Sequence, residues 1–375
     1  MNEWRDATLG DVLTLQRGFD LTEREATPGP FPVISSGGSK YTSDSAKVDG
    51  PGVITGRKGV LGKVHWSEGP FWPHDTTLWV KDFKGSYPRF VYYLLQTLPL
   101  AALDAGAANP TLNRNHAHLL PVRVPASVTT QVAIADTLRS FDDLIENNRR
   151  RVEVLEEMAR AIYREWFVKF RYPGYQDVPL VESALGPIPR GWAARRLDEV
   201  AIFRGGSTRT KAAYVDAGFV AFSAAGPDGF VPDYEFDGPG VVLSAVGARC
   251  GRTFWASGKW SSIANTIKII PNEPDLLATW LLFATEDTNI WPKRGSAQPF
   301  VSINDARGVL TVAPARETHL RFEEAARPMI DQAVTLRAAI QSLARLRDLL
   351  LPKLVAGQID VSTLNLDAQV EEVVA

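Results

Sequence analysis

The stretch from about Val128 to Tyr172 restricts the fold more than any other part of the chain. Its core reads QVAIADTLRSFDDLIENNRRRVEVLEEMARAIYREWFVKF. Leu138, Phe141, Ile145, Asn148, Val152, Leu155, Ala159, Ile162 and Trp166 recur there at alternating three- and four-residue spacing. That is the pattern of a coiled-coil seam. A helix from about Thr130 to Phe170, with no Pro or Gly to interrupt it, would be roughly 60 Å long at about 1.5 Å per residue. A strut of that length needs a partner helix. Asn148 is the kind of seam residue that costs stability and fixes register, and Arg149, Arg150, Arg151, Glu153, Glu156 and Glu157 flank it with both signs. From about Thr318 to Val355 a second stripe runs through Met329, Ala333, Leu336, Ile340, Leu343, Leu350 and Leu354, with Arg347 its charged member. The pair predicts two antiparallel helices; the other reading is two unrelated amphipathic helices docked on separate cores.

The rest of the chain divides into two copies. At a shift of 188, Trp4, Leu9, Val12 and Gly18 fall on Trp192, Leu197, Val200 and Gly206, and the run Gly50 to Val53 falls on Gly238 to Val241. Phe31, Ser35 and Gly59 meet Phe219, Ser223 and Gly247. After one inserted residue, Trp66, Gly106, Ala108, Pro110, Asn115 and Pro125 meet Trp255, Gly295, Ala297, Pro299, Asn304 and Pro314. Within each copy the expectation is an opening strand, a Gly- and Ser-rich loop, a buried strand, a strand ending in Trp, a third strand and a short helix. The fold expected is therefore α+β, with two globular heads related by a pseudo-twofold and separated by a long antiparallel two-helix coiled coil. Heads occupy 1–125 and 191–314, helices 126–172 and 315–360. Pro and Gly mark 173–190 as a linker, and 361–375 reads as a flexible tail.

A chain of 375 residues is long enough for two cores, and a formal charge of -2 gives no global basic signal. A nucleic-acid surface would have to be local or be completed by a basic partner. The single Cys250 excludes an internal disulfide, and with no signal peptide or membrane-length apolar run the expected compartment is the cytoplasm.

Polar chemistry collects in the loops. GRKGVLGK sets Arg57, Lys58 and Lys63 on a Gly-rich turn with no acidic residue expected nearby, and the second copy carries Arg249, Arg252 and Lys259 there, again with no acid among them. Cations on such a turn can reach phosphates or base edges, and Arg, Asn and Gln are the types that contact guanine and adenine bidentately. Further candidates in the first head are Arg17, Ser36, Lys40, His74, Asn113, Arg114, Asn115 and His116. In the second they are Arg204, Ser207, Thr208, Arg209, Lys211, Lys293, Arg294, Gln298 and Asn304. Any of them can equally be solvated surface. Enzymatic readings fail: GRKGVLGK lacks the first Gly and the Ser or Thr of a phosphate-binding loop. Pro73, Asp75, Asp82 and Lys84 have no counterpart cluster in the second copy and read as a strand-end turn. His116 and His118, read as alternating on an extended stretch, lack a third metal ligand, Cys250 suits a turn, and no GxGxxG opens a helix. No catalytic residue and no metal site is assigned.

REWFVKFRYPG at the end of the first helix, GPIPRGW opening the second half and RLRDLLLPKLVAGQIDV near the end resemble the specificity subunit of Type I restriction-modification systems. The resemblance spans nearly the whole chain. It implies that each head is a target recognition domain reading half of a bipartite, asymmetric DNA sequence. By the same resemblance the helices dock two modification (methyltransferase) subunits, with Asn148, Leu155, Trp166, Phe167, Leu343, Leu350 and Leu354 as docking candidates. S-adenosylmethionine would belong to the modification subunit, ATP and Mg to restriction/translocase subunits, and no cofactor or catalysis to this chain. A coiled-coil adaptor whose heads bind protein partners is the alternative.

Overall fold

The structure, a computed structural model, describes residues 4–104 and 111–363. Gly106, Ala108 and Pro110 of the repeat and the tail beyond Thr363 lie outside the described residues. The chain forms two units. One holds the residues up to Arg149 and those from Ala338 on, and the other holds Arg150–Arg337.

In the first unit β1 (Trp4–Thr8) leads through the single-turn α1 (Leu9–Val12) into β2 (Thr14–Arg17). Next come β3 (Phe31–Ser35), β4 (Gly38–Ser43), β5 (Gly52–Gly56), β6 (Val64–Ser67), β7 (Trp72–Pro73) and β8 (Thr77–Asp82). Two sheets result, one ordered β2-β8-β5-β6 and the other β4-β3-β7. Ile34, Ile54 and Phe71 pack together in a small core, while Val53, Leu78 and Val80 help form the larger one. β5 is GVITG, buried at every position, as a central strand covered on both faces must be. Gly18 follows β2 where a Cβ would stand 2.2 Å from the His74 carbonyl oxygen. Its repeat mate Gly206 would stand 2.1 Å from that of Ile263, so both positions exclude a side chain. The unit continues with α2 (Pro88–Thr97), α3 (Arg114–His118) and β9 (Pro121–Pro125), which pairs with β1, and then α4 (Val128–Tyr163) begins.

The second unit opens with β10 (Leu180–Val181) and β11 (Ile188–Pro189), a two-stranded pair. It then repeats the first: β12 (Ala193–Arg196), β13 (Ala201–Gly205), β14 (Phe219–Ser223), β15 (Gly226–Val231), β16 (Phe236–Asp237), β17 (Gly240–Ser244), β18 (Thr253–Ala256), β19 (Lys259–Ser262) and β20 (Thr266–Pro271). The order β13-β20-β17-β18 matches β2-β8-β5-β6 strand for strand, and the second sheet is β15-β14-β19-β16. α5 (Pro274–Ala284), α6 (Ile303–Arg307), β21 (Leu310–Ala313) and α7 (Arg316–Val355) follow.

Three expectations change. The Gly- and Ser-rich loop is the hairpin β3–β4, and β14–β15 in the second copy. Each pair carries a register shift, so no clean alternation marks these strands in the sequence. The linker is a packed part of the second unit. Ile188 is 2% exposed and joins Tyr172 and Trp192 in the core, where the Tyr172 and Trp192 rings stand 4.9 Å apart. Finally, α4 ends as an α-helix at Tyr163, and a single wider turn over Arg164–Val168 carries Phe167 against Phe322, 4.9 Å between ring centroids.

The long helices serve both units. Ile134, Ala135 and Leu138 of α4 and Leu351, Leu354 and Val355 of α7 lie in the first unit's core. Ala159 of α4 and Phe322, Ala326 and Ile330 of α7 lie in the second's. The α7 terminus explains the PKLVAGQIDV signature: the Gly357 and Gln358 N–H groups donate to Leu354 O (3.2 Å) and Lys353 O (2.8 Å), closing the helix with Gly357 at φ 72°.

Candidate nucleic-acid interface

In the first unit the sheet gathers cations from three distant parts of the chain. β5 runs on into Arg57 and Lys58, whose N–H groups both donate to Thr76 O, at 2.8 and 3.0 Å. On their other side Leu112 N donates to Arg57 O at 2.8 Å and Thr111 pairs with Lys58, which draws the 111–114 loop alongside. Arg17 arrives at the end of β2. The result is a recess of about 500 Å³ lined by Arg17, Arg57, Leu78, Thr111, Leu112, Asn113 and Arg114. Asp75 sits among these cations. Its carboxylate is 3.3 Å from Arg17 Nη2, 3.9 Å from Lys58 Nζ and 3.1 Å from His74 Nδ1, and its main-chain oxygen accepts from Arg57 Nη1 at 3.4 Å. Asp20 binds Arg17 from the other side at 2.9 Å.

This corrects the view that the basic turn has no acid near it and that Asp75 is a bare turn residue. Asp75 comes from the loop between β7 and β8, so its approach depends on sheet order and not on local spacing. Ser36 is buried and braces the turn: its carbonyl lies 3.1 Å from His65 Nε2 and its N–H donates to Thr76 Oγ1 at 3.3 Å. Lys63 Nζ donates to Gly37 O at 3.3 Å. Asn113 caps α3 by accepting from Asn115 N at 2.9 Å. Asn115 and Lys40 are exposed away from the recess lining. The residues His116 and His118 lie on α3, not on an extended stretch. His118 Nε2 accepts the Leu15 N–H at 2.9 Å, and burial pushes its pKa below the usual imidazole value, so it acts as a neutral brace.

The second unit treats its cations differently. Both guanidinium nitrogens of Arg209 bind the Asp233 carboxylate, the second at 2.8 Å. Lys211 Nζ, the Tyr214 hydroxyl and the Ser223 hydroxyl donate to Asp228 at 2.5, 2.6 and 2.8 Å. Burial works to raise the Asp228 pKa, but those three hydrogen bonds outweigh it and leave the carboxyl below its usual range. Arg294 pairs with Asp305 at 2.6 Å, and Arg204 lies over the Phe236 ring at 5.9 Å. Ser207 Oγ donates to Ser262 O at 3.0 Å, while Arg249 Nη1 donates to Ala225 O, also at 3.0 Å. Thr208, Arg252, Lys293, Gln298 and Asn304 are placed on loops or on α6. The repeat's turns coincide, but their cations do not: Arg57 and Lys58 occupy the positions of Ala245 and Val246, and Arg249 and Arg252 come later in the turn. Asp75, Thr111 and the Tyr214–Asp228 pair are the members that sequence reading missed.

Of the docking candidates, Leu343 and Leu354 are wholly buried inside the chain, and Asn148 and Phe167 nearly so. They hold the helices in place and cannot face a partner. Leu155, Trp166 and Leu350 are half-buried, whereas Val128, Val154 and Met158 of α4 and Leu320, Val334 and Leu349 of α7 are exposed large apolar side chains. Among the described residues no helix is long and apolar enough to cross a membrane, and no group of three or more His, Cys, Asp or Glu could hold a metal ion.

Residues 1–157 match the family model described as the Type I restriction modification DNA specificity domain. The chain is 23% identical over 308 residues to the Type I restriction enzyme MjaIX specificity subunit of Methanocaldococcus jannaschii, covering 75% of this chain and 71% of that one. It shares its fold with the S subunit of a Type I restriction-modification system from M. genitalium, at a TM-score of 0.69 and 17% identity over 94% of this chain and 96% of that one. The domain match, the relative and the fold agree: residues 1–157 match a Type I restriction modification DNA specificity domain, and over most of its length the chain is similar to specificity subunits of Type I systems.

Proposed function

We propose that each globular unit reads one half of a bipartite, asymmetric DNA target, and that the two long helices pair antiparallel as the spacer between the readers. One observation carries this reading. A single sheet frame recurs in both units, strand for strand, while the side chains at its loop ends differ in type and in charge pairing. A shared frame with divergent loops fits two readers of unlike half-sites. Helix pairing is supported within each unit: Leu343 packs with Phe141 and Ile145 in the first, and Arg337 Nη2 binds Glu156 Oε1 at 2.5 Å in the second. The start of α4 thus meets the end of α7, and the later part of α4 meets the earlier part of α7. In this reading the heads are residues 1–125 and 191–314, related by a pseudo-twofold, and the outward helix faces dock two modification subunits. These supply S-adenosylmethionine and methylate adenine, and restriction subunits supply ATP and Mg chemistry. The compartment would be the cytoplasm.

The test is to replace residues 1–125 with the corresponding head of another such subunit and map methylated adenines in host DNA. One half of the recognised sequence should change and the other should persist. Methylation sites that do not move at all would refute the reading.

A further inference from the structure

We propose that the recess bounded by Arg17, Arg57, Thr111, Asn113 and Arg114 seats a phosphate of the DNA backbone, and that this anchor exists in the first unit alone. The inference rests on the DNA-reading role above and assigns a task within it. A duplex offers its phosphates as a ridge and its base edges at the floor of a groove. A concave, cationic recess fits the ridge, whereas base reading needs side chains that project. Four cations, Arg17, Arg57, Lys58 and Arg114, face two carboxylates, Asp20 and Asp75, and both carboxylates are taken up by Arg17 and Lys58. Arg57 and Arg114 have no ion pair among the described residues, so two guanidinium groups remain to bind a phosphodiester bidentately. Asp75 is the positioning residue: it holds Arg17 and Lys58 by its carboxylate and Arg57 by its main-chain oxygen.

The second unit supplies the contrast. It keeps the backbone frame, with Val301 N donating to Ala245 O at 2.9 Å, Val246 pairing with Phe300 and Ser302 capping α6. The positions of Arg17, Arg57, Lys58, Thr111 and Arg114 are there taken by Gly205, Ala245, Val246, Phe300 and Ile303. The guanidinium of Arg294, whose backbone pairs with Phe300, is already bound to Asp305. One frame therefore carries an anion seat in the first copy and an apolar surface in the second.

The experiment uses the full chain assembled with its modification subunits. Affinity for a target duplex and for a scrambled duplex is measured across a salt series for wild type, Arg57→Gln and Arg114→Gln, the latter an exposed residue whose change leaves the core intact. Each variant should lower the slope of log affinity against log salt by about 0.9, alike on both duplexes, with the methylated sequence unchanged. Neutral methylphosphonate at a single phosphate beside the first half-site should weaken wild type and leave Arg114→Gln indifferent. An unchanged slope in both variants overturns the proposal, as does an altered first half-site, which would make these residues base readers. A wild-type complex that fails to prefer its target would instead refute the DNA-reading role itself.

Discussion

His319, on α7 in the second unit, is 4% exposed, with its ring 5.0 Å from that of Trp280. Burial, reinforced by Arg316, pushes its pKa down to about 4 from an ordinary value of 6.5. Between those values the unfolded chain binds a proton that the folded chain refuses, so stability is lost as pH falls through that interval, at up to about 1.4 kcal/mol per pH unit. Glu323, whose carboxyl burial pushes up, acts in the opposite sense, and the readout is therefore a difference between proteins. The urea midpoint followed by tryptophan fluorescence should drop from pH 7 to pH 5 in wild type and drop less in His319→Leu; equal pH dependence in the two would rule this out. Gly357 offers a backbone case. A Cβ at its φ of 72° would stand 2.5 Å from Trp4 Cε2, so Gly357→Ala combines left-handed strain with a clash and should cost about 1–3 kcal/mol in the same assay. At this scale the chemical types were legible: Arg17, Arg57, Asn113 and Arg114 stand out in the sequence as cations and amides on loops. Their assembly was not, because Asp75 and Thr111 reach them through strand order, and no local spacing encodes that.

Among the elements, the long helices were the most legible, since a stripe sustained over many turns leaves few alternatives. The lone charged residue on the second stripe is accounted for by its partners. Arg347 Nη1 binds Asp142 at 2.8 Å, and the Tyr93 hydroxyl binds the other oxygen of Asp142 at 2.6 Å. Asp142 thus ties α2, α4 and α7 together within the first unit. Asp142→Ala would leave the Tyr93 hydroxyl without its acceptor and the half-buried Arg347 guanidinium with Asp348 alone, and should cost about 1–3 kcal/mol in chemical denaturation. Arg347→Leu should cost under about 1 kcal/mol, because an apolar side chain suits that stripe. If the two substitutions cost the same, the ion pair is not what stabilises the junction. The hairpins β3–β4 and β14–β15 were illegible for a physical reason: with Gly at their turns and a shift in register, they lack the alternation that marks a strand. The segment 173–190 misled in the other direction, for its Pro and Gly residues shape a tight path that carries Ile188 into the core.

At the scale of the whole molecule the reading depends on length. A spacer made of paired helices measures distance along DNA by its own extent, so the unread gap between half-sites should follow helix length and not loop identity. Seven residues inserted into both α4 and α7, opposite each other near Ile145 and Leu343, keep the seam in register because they add one full repeat. They lengthen each helix by about 10 Å, which corresponds to about three base pairs at about 3.4 Å each. Mapping methylated adenines should then show both half-sequences unchanged with a gap about three pairs longer. An insertion in α4 alone breaks the match between the helices and should abolish methylation. A gap that stays constant in the doubly extended chain would mean that something other than the helix pair sets the spacing, even if both heads still read their half-sites.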